Sequence, residues 1–172
     1  MSDLLKLMEE RFSVRDFSDK PIEPAAMAKI LRAAQVAPTA ANKQPVHVYV
    51  LQSKEALEKI RSLTRCAFNA PCVLMITYNV DQDWKNPLED GIHAGQQDAS
   101  IVATHIMLEA WSQNVGSCWV NFFANSQVRQ AFGLDSSERV VLLMPLGYPS
   151  DEAAPSASHE TNKPIEELVS YL

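Results

Sequence analysis

The run CVLMITY, residues 72–78, is an unbroken apolar stretch seven residues long. Continuous apolarity of that length reads as a strand buried on both faces, the centre of a sheet rather than its edge. A strand with no polar face needs a covering layer on each side, and the flanking sequence supplies candidates. VHVYVLQ (46–52) is a second strand by its β-branched content, and SKEALEKIRSL (53–63) is a capped amphipathic helix. From Gly95 to Val115 the pattern is helical. Between Ala99 and Trp111 apolar residues occur nearly all round, which predicts a helix enclosed in the core, stopped by Gly116. SCWVNFF (117–123) reads as a strand, Asn125 as the cap of a short helix ending at Gly133, and RVVLLMPLGY (139–148) as a strand whose Pro145 marks an exit or an edge.

Toward the amino end, Ser2 can cap a helix carrying Leu4, Leu5, Met8 and Phe12 that ends near Arg11. A second helix starts at Pro24, bears Met27, Ile30, Leu31 and Ala34 on one stripe, and is halted by Pro38. DQDWKNPLED (81–90) is a polar, turn-like surface excursion, and the tail is loop-like with a short apolar-acidic end. There is no internal repeat. The alternation of helix and strand predicts one domain over 1–172, a three-layer α/β or α+β sandwich.

Composition narrows the function classes. The chain has 172 residues, 47 % hydrophobic and 21 % charged, with a formal net charge of -6, which suits a packed globular domain. An acidic balance excludes a broad phosphate-tracking surface and argues against docking on anionic lipid, so no nucleic acid and no membrane are expected as partners. No stretch approaches the roughly 18 uninterrupted apolar residues of a membrane helix. Cys66, Cys72 and Cys118 are odd in number and lack metal spacing. In a chain without a secretory segment they read as reduced thiols of a cytoplasmic protein.

Within this acidic chain, RFSVRDF (11–17) concentrates positive charge. If residues 11–15 are extended, Arg11, Ser13 and Arg15 share one face over roughly 13 Å, while Phe12 and Val14 point the other way. Two guanidiniums and a hydroxyl in one row suit a phosphomonoester with a hydroxylated chain. Pairing of the arginines with Asp16 and Asp19 on a wet surface is the plainer alternative. A second candidate is APTAANKQPVHVYV (37–50), where small Thr39, Ala40 and Ala41 would let backbone approach a flat ligand and Asn42 and Gln44 supply amides. Its alternative is a plain helix-to-strand connection. His47, His93, His105 and His159 have no positioned partner and read as structural or solvated. Met27, Met75, Met107 and Met144 fall on core stripes. Cys118, in a buried strand, reads as an inert small apolar residue.

RFSVRDF, APTAANKQPVHVYVL, NVGSCWV, a late LGYP and a basic residue before PIEE occur in the order seen in one family. In that ordered set the chain resembles the nitroreductase-like flavoproteins, over nearly its whole length. The resemblance implies a three-layer α/β/α sandwich of the nitroreductase type with a mixed, mainly antiparallel sheet, assembled as an interlocked homodimer. It implies FMN held without a covalent bond at the dimer interface, and NADH or NADPH as a transient donor. By matching positions, Arg11, Ser13 and Arg15 would hold the phosphate and ribityl chain, with Phe12 among the cofactor-binding residues, and Lys163 would add a cation. Pro38, Thr39, Ala40 and Asn42 would come from the neighbouring subunit along the isoalloxazine ring, with Gln44 at its polar edge. Cys118, Trp119 and Val120 match the strand passing near the flavin.

The implied activity is a ping-pong hydride transfer through flavin N5 to nitroaromatic, quinone or related acceptors, with no catalytic side chain and no metal. Flavin binding or storage without turnover, dehalogenation and flavin fragmentation are the alternatives. Two departures stand out: Asn162 replaces a second cation of many relatives, and the segment before the buried helix is short, which implies an open pocket or a lid formed only by DQDWKNPLEDGI, with Trp84 read as an exposed loop anchor in preference to a lid residue.

Overall fold

The computed structural model describes residues 4–172, so the Ser2 cap lies outside the described residues. Four strands, β1 (Val46–Leu51), β2 (Cys72–Asn79), β3 (Gly116–Ser117) and β4 (Glu138–Gly147), form one sheet in the order β1-β2-β4-β3. All neighbouring strands are antiparallel, and the parallel component is a single bridge from Ser13 to Ser117. CVLMITY is central as its apolarity requires. Alternate side chains go to opposite faces: Cys72, Leu74 and Ile76 join one core, Val73 and Met75 the other. A bulge between Ile76 and Thr77 shifts the register against β4, so Val140 and Leu142 end on different faces.

Helices α2 (Pro24–Val36) and α4 (Gly95–Ser112) cover the first face, with Ile30, Ala99, Val102, Ala103 and Ile106 packed against it. Helices α3 (Lys54–Leu63) and α5 (Asn125–Ala131) cover the second through Leu57, Ile60 and Val128. Helix α1 (Leu4–Glu10) and a short terminal helix α6 (Ile165–Leu168) complete the chain. The Ser53 hydroxyl accepts from Ala56 N–H at 3.2 Å and so caps α3 as expected.

Three expectations change. Helix α4 is not enclosed all round. Its inner face is buried, but Ile101 on the outer face is 38 % exposed. There α1, α2 and α4 leave an apolar groove of about 970 Å³ between Leu4, Met8, Val36 and Leu108. The 117–123 strand shrinks to Gly116–Ser117 plus an isolated pairing of Val120 with Leu143. Pro145 explains the gap: Cys118 N–H donates to its carbonyl at 3.2 Å, but proline has no N–H to return the bond. β4 therefore runs through Pro145 instead of ending there, and the edge is β3. Asn125 opens α5 from its first turn without capping it; its amide donates to Val140 O at 2.7 Å, tying α5 to β4.

Candidate functional site

Arg11 N–H still bonds to Leu7 O at 3.2 Å, closing α1, and the chain then straightens. Val14 N–H donates to Ser117 O at 3.0 Å, and Ser18 N–H to Tyr148 O at 2.9 Å. Bridges at Ser13 and Phe17 lay this ribbon along the sheet edge. The alternation is as predicted. Val14 is fully buried, and the Phe12 ring packs edge-on to Trp111, centroids 5.3 Å apart, with His159 beyond. The side chain of Phe12 thus faces away from the row it interrupts. With Phe12 and Val14 turned inward, the alternation of an extended ribbon leaves Arg11, Ser13 and Arg15 on the other side.

The wet-surface alternative does not form. Asp16 accepts from the Ser150 hydroxyl at 2.7 Å instead, and among the described residues no carboxylate lies within 4 Å of either guanidinium. Among the described residues Arg15 donates only to Ser13 O, at 3.2 Å. Two guanidiniums on one extended row, without counter-ions among the described residues, make a candidate anion cradle. Its seating depends on two close approaches. A Cβ on Gly116 would stand 2.5 Å from Val14, and one on Gly147 2.8 Å from Pro71 and 3.0 Å from Phe17.

Cys118 is buried, and burial pushes its thiol up, with Arg15 nearby pulling the other way. It is a neutral thiol near pH 7. Cys72, buried in β2, is pushed up to about 12 by the same cause. Cys118 and Val120 pack into the α3/α5 side of the core and Trp119 against the α2/α4 side.

The loop between α2 and β1 is built differently. Ala41, Asn42 and Gln44 all have positive φ, at 49°, 54° and 51°. Such a cluster of non-glycine left-handed residues persists only where surrounding structure enforces it. Thr39 Oγ1 accepts from Gln44 N–H at 3.0 Å, Asn42 N–H donates to Thr39 O at 3.0 Å, and Pro45 is buried. Asp98, 2 % exposed in the first turn of α4, accepts from Ala40 N–H at 2.9 Å, and its other oxygen has no partner. Sequence reasoning missed Asp98. The available signal was a carboxylate in the helical segment immediately before the stretch predicted to be enclosed, since buried charges are found paired. The side chains of Pro38, Asn42 and Gln44 are exposed.

These two candidate segments sit at opposite ends of α4. The ribbon meets Trp111 and the loop meets Asp98, thirteen helical steps or about 20 Å apart. Lys163 lies on the exposed tail, and no hydrogen bond or ion pair ties it to the cradle among the described residues. The polar excursion is pinned instead of loose: Lys85 pairs with His93, and buried Asp83 lies 3.2 Å from His93 Nδ1. His93 therefore does have a partner. Trp84 is partly buried, its carbonyl accepting from Ala94 N–H at 2.9 Å.

Comparison with known proteins decides the family. Residues 8–69 and 63–148 match the sequence model of the Nitroreductase family. The chain belongs to the nitroreductase family. A relative from Archaeoglobus fulgidus, named NADH dehydrogenase/NAD(P)H nitroreductase, is 30 % identical over 159 residues, covering 88 % of each chain. The crystal structure of a nitroreductase family protein from Clostridium difficile superposes with a TM-score of 0.91 at 31 % identity, covering 99 % of this chain and 98 % of that one. A nitroreductase from Exiguobacterium sibiricum, solved in complex with FMN, shares the fold at 18 % identity with a TM-score of 0.83, covering 100 % and 98 %. Among the described residues no helix is long and apolar enough to cross a membrane, and no cluster of three potential metal ligands occurs.

Proposed function

We propose that this chain, as one domain over 1–172, is an FMN-dependent NAD(P)H oxidoreductase acting on nitroaromatic, quinone or related acceptors. The observation that carries the reading is the row Arg11, Ser13, Arg15: two guanidiniums without counter-ions among the described residues and a hydroxyl, held along Ser117 by the bridge at Ser13 in a protein of net charge -6. A phosphate near neutral pH carries close to two negative charges, and this row fits it. The donor set fits FMN, whose bound ring would supply the hydride chemistry between NAD(P)H and the acceptor. The residues of this chain then bind and orient. Arg11 and Arg15 would neutralise the phosphate, Ser13 would donate to it, Cys118 to Val120 would pass backbone along the ring, and the hairpin at 83–93, which enters the loop end of α4 through Ala94, would shield the ring of the neighbouring copy from water. The family name and the NAD(P)H nitroreductase name of the relative from Archaeoglobus fulgidus support the donor.

The protein works as a homodimer in this reading. Pro38, Thr39, Ala40, Asn42 and Gln44 are about 20 Å along α4 from the cradle of their own chain, so a second copy would bring its loop to the ring. The open apolar groove of α1, α2 and α4 supports the same assembly, as does a tail with Ile165, Leu168 and Tyr171 exposed. Lys163, four residues beyond the His159 that packs on Phe12, would add a cation to the phosphate. All three cysteines are free, which suits a cytoplasmic setting.

The test is optical. Purified protein should be yellow, should bleach with NAD(P)H, and should regain colour with an acceptor. Bleaching without recovery would favour storage over turnover, and colourless protein that takes up no added FMN would sink the reading.

A further inference from the structure

Beyond Cys118 the chain leads away from the cradle toward Phe122, at most about 18 Å on from Ser117 at full extension. Phe122 is 64 % exposed, a large aromatic ring left open to solvent. The Arg65 guanidinium lies over this ring, 5.0 Å from its centroid. Thr64 Oγ1 donates to Phe122 O at 2.7 Å, which fixes the two segments together. Arg61 is held by one bond, Nη2 to Ala70 O at 3.1 Å, leaving its other donors free. With Asn121 and Phe123 these residues line a cavity of about 630 Å³. Among the described residues neither arginine has a carboxylate within 4 Å.

The cavity shares a core cluster with the segment of the proposed flavin site: Phe123, in its lining, and Cys66, next to Arg65, pack in the same cluster as Cys118. Two cations without a carboxylate within 4 Å among the described residues recur here, now beside an exposed ring that the cradle lacks. The aromatic floor offers stacking to a flat ring, and the guanidinium plane offers bidentate contact to a planar anion. A phosphate group by itself leaves the aromatic floor unused; a benzoate-like molecule uses both the floor and the guanidinium.

We propose that the Arg61–Arg65–Phe122 cavity selects acceptors that carry a carboxylate on an aromatic ring. This rests on the FMN-dependent reading and names its substrate class. The ring stacks on Phe122, and the carboxylate is bound by the free donors of Arg65 and Arg61.

The experiment compares 4-nitrobenzoate with neutral 4-nitrobenzamide as acceptors for the holoprotein, in low salt with NADH as donor. Wild type should favour the acid by about fivefold in kcat/KM, through KM, and the ratio should fall toward one in Arg61→Gln/Arg65→Gln or in high salt. Binding is read separately from turnover by broadening of the fluorine resonance of 4-(trifluoromethyl)benzoate, expected with wild type and lost in the double variant. No acid preference together with no broadening overturns the proposal. So does a double variant that loses flavin, which makes these arginines cofactor ligands, or one that changes only the ratio of NADPH to NADH use, which assigns them to the donor's phosphate. If wild type holds no flavin, the FMN reading fails, and the fluorine titration still decides whether the cavity takes an aromatic carboxylate.

Discussion

The ribbon Arg11–Phe17 and the loop Pro38–Pro45 are both short irregular segments rich in polar side chains, yet they are held in opposite ways. The ribbon is fixed through its backbone, by bonds to Ser117 and Tyr148 and by close packing on Gly116, which leaves its arginines uncommitted. The loop is fixed partly through side chains, by Thr39 and by Asp98 reaching in from α4, and its backbone adopts three left-handed residues in four. One segment therefore presents charge and the other presents backbone and small side chains. A phosphate needs the first and a flat ring the second, and the length of α4 keeps them apart within one chain.

The hardest blow to this contrast is removal of the ribbon's charge. Arg11→Ala with Arg15→Ala should weaken FMN binding by about 3 kcal/mol, roughly a hundredfold, from two charge-assisted contacts near the low end of their range because Arg15 is exposed. Flavin absorbance after gel filtration checks it, and unchanged flavin content would remove the row from the site. Gly116→Ala attacks the ribbon's seating with the charges intact. The new methyl meets Val14, so a stability loss of about 2 kcal/mol is expected in urea unfolding, with flavin loss following from displacement of the row.

Asp98→Ala tests the loop. It leaves Ala40 N–H without its acceptor and should cost about 1 to 2 kcal/mol, offset in part because one carboxylate oxygen is already unpartnered. Amide exchange should quicken at residues 39–44 and stay unchanged at 13–18; quickening at both would merge the two regions into one unit. The last test comes from neither region and calibrates the fold itself. Cys72 is pushed up to about 12 by burial against an ordinary 9.0. Between those values the unfolded chain binds fewer protons than the folded one, so stability falls as pH rises. A slope of about 1.4 kcal/mol per pH unit, begun above pH 9 and reduced in Cys72→Ala, is expected from denaturation across that window.

Much of the fold is legible in the residues because local rules and burial agree there. CVLMITY has no polar face, so only a doubly covered strand suits it, and Pro24, Ser53 and Pro38 mark helix ends by chemistry that needs no neighbour. The 117–123 strand was overread because its truncation is set by the missing N–H of Pro145, which acts only once β4 lies alongside. The enclosed reading of α4 failed for a related reason. Its apolar residues do surround it, but one chain supplies cover for a single face.

At the site, the alternation of Arg11, Ser13 and Arg15 was readable because period 2 is a property of any extended backbone. That these arginines have no acidic partner, that Asp98 holds Ala40, and that Arg65 lies over Phe122 were not readable, since each depends on residues far apart in the chain.

The amino-acid order alone settled most of the strands and helices, the 117–123 strand excepted, and which side chains are cationic, small or aromatic, because these follow from backbone sterics and side-chain chemistry. Only the folded arrangement decided which charges go unpaired, which carboxylate is buried, and that the row and the loop stand at opposite ends of one helix. Pairing and separation are distances between remote parts of the chain, and packing sets those distances.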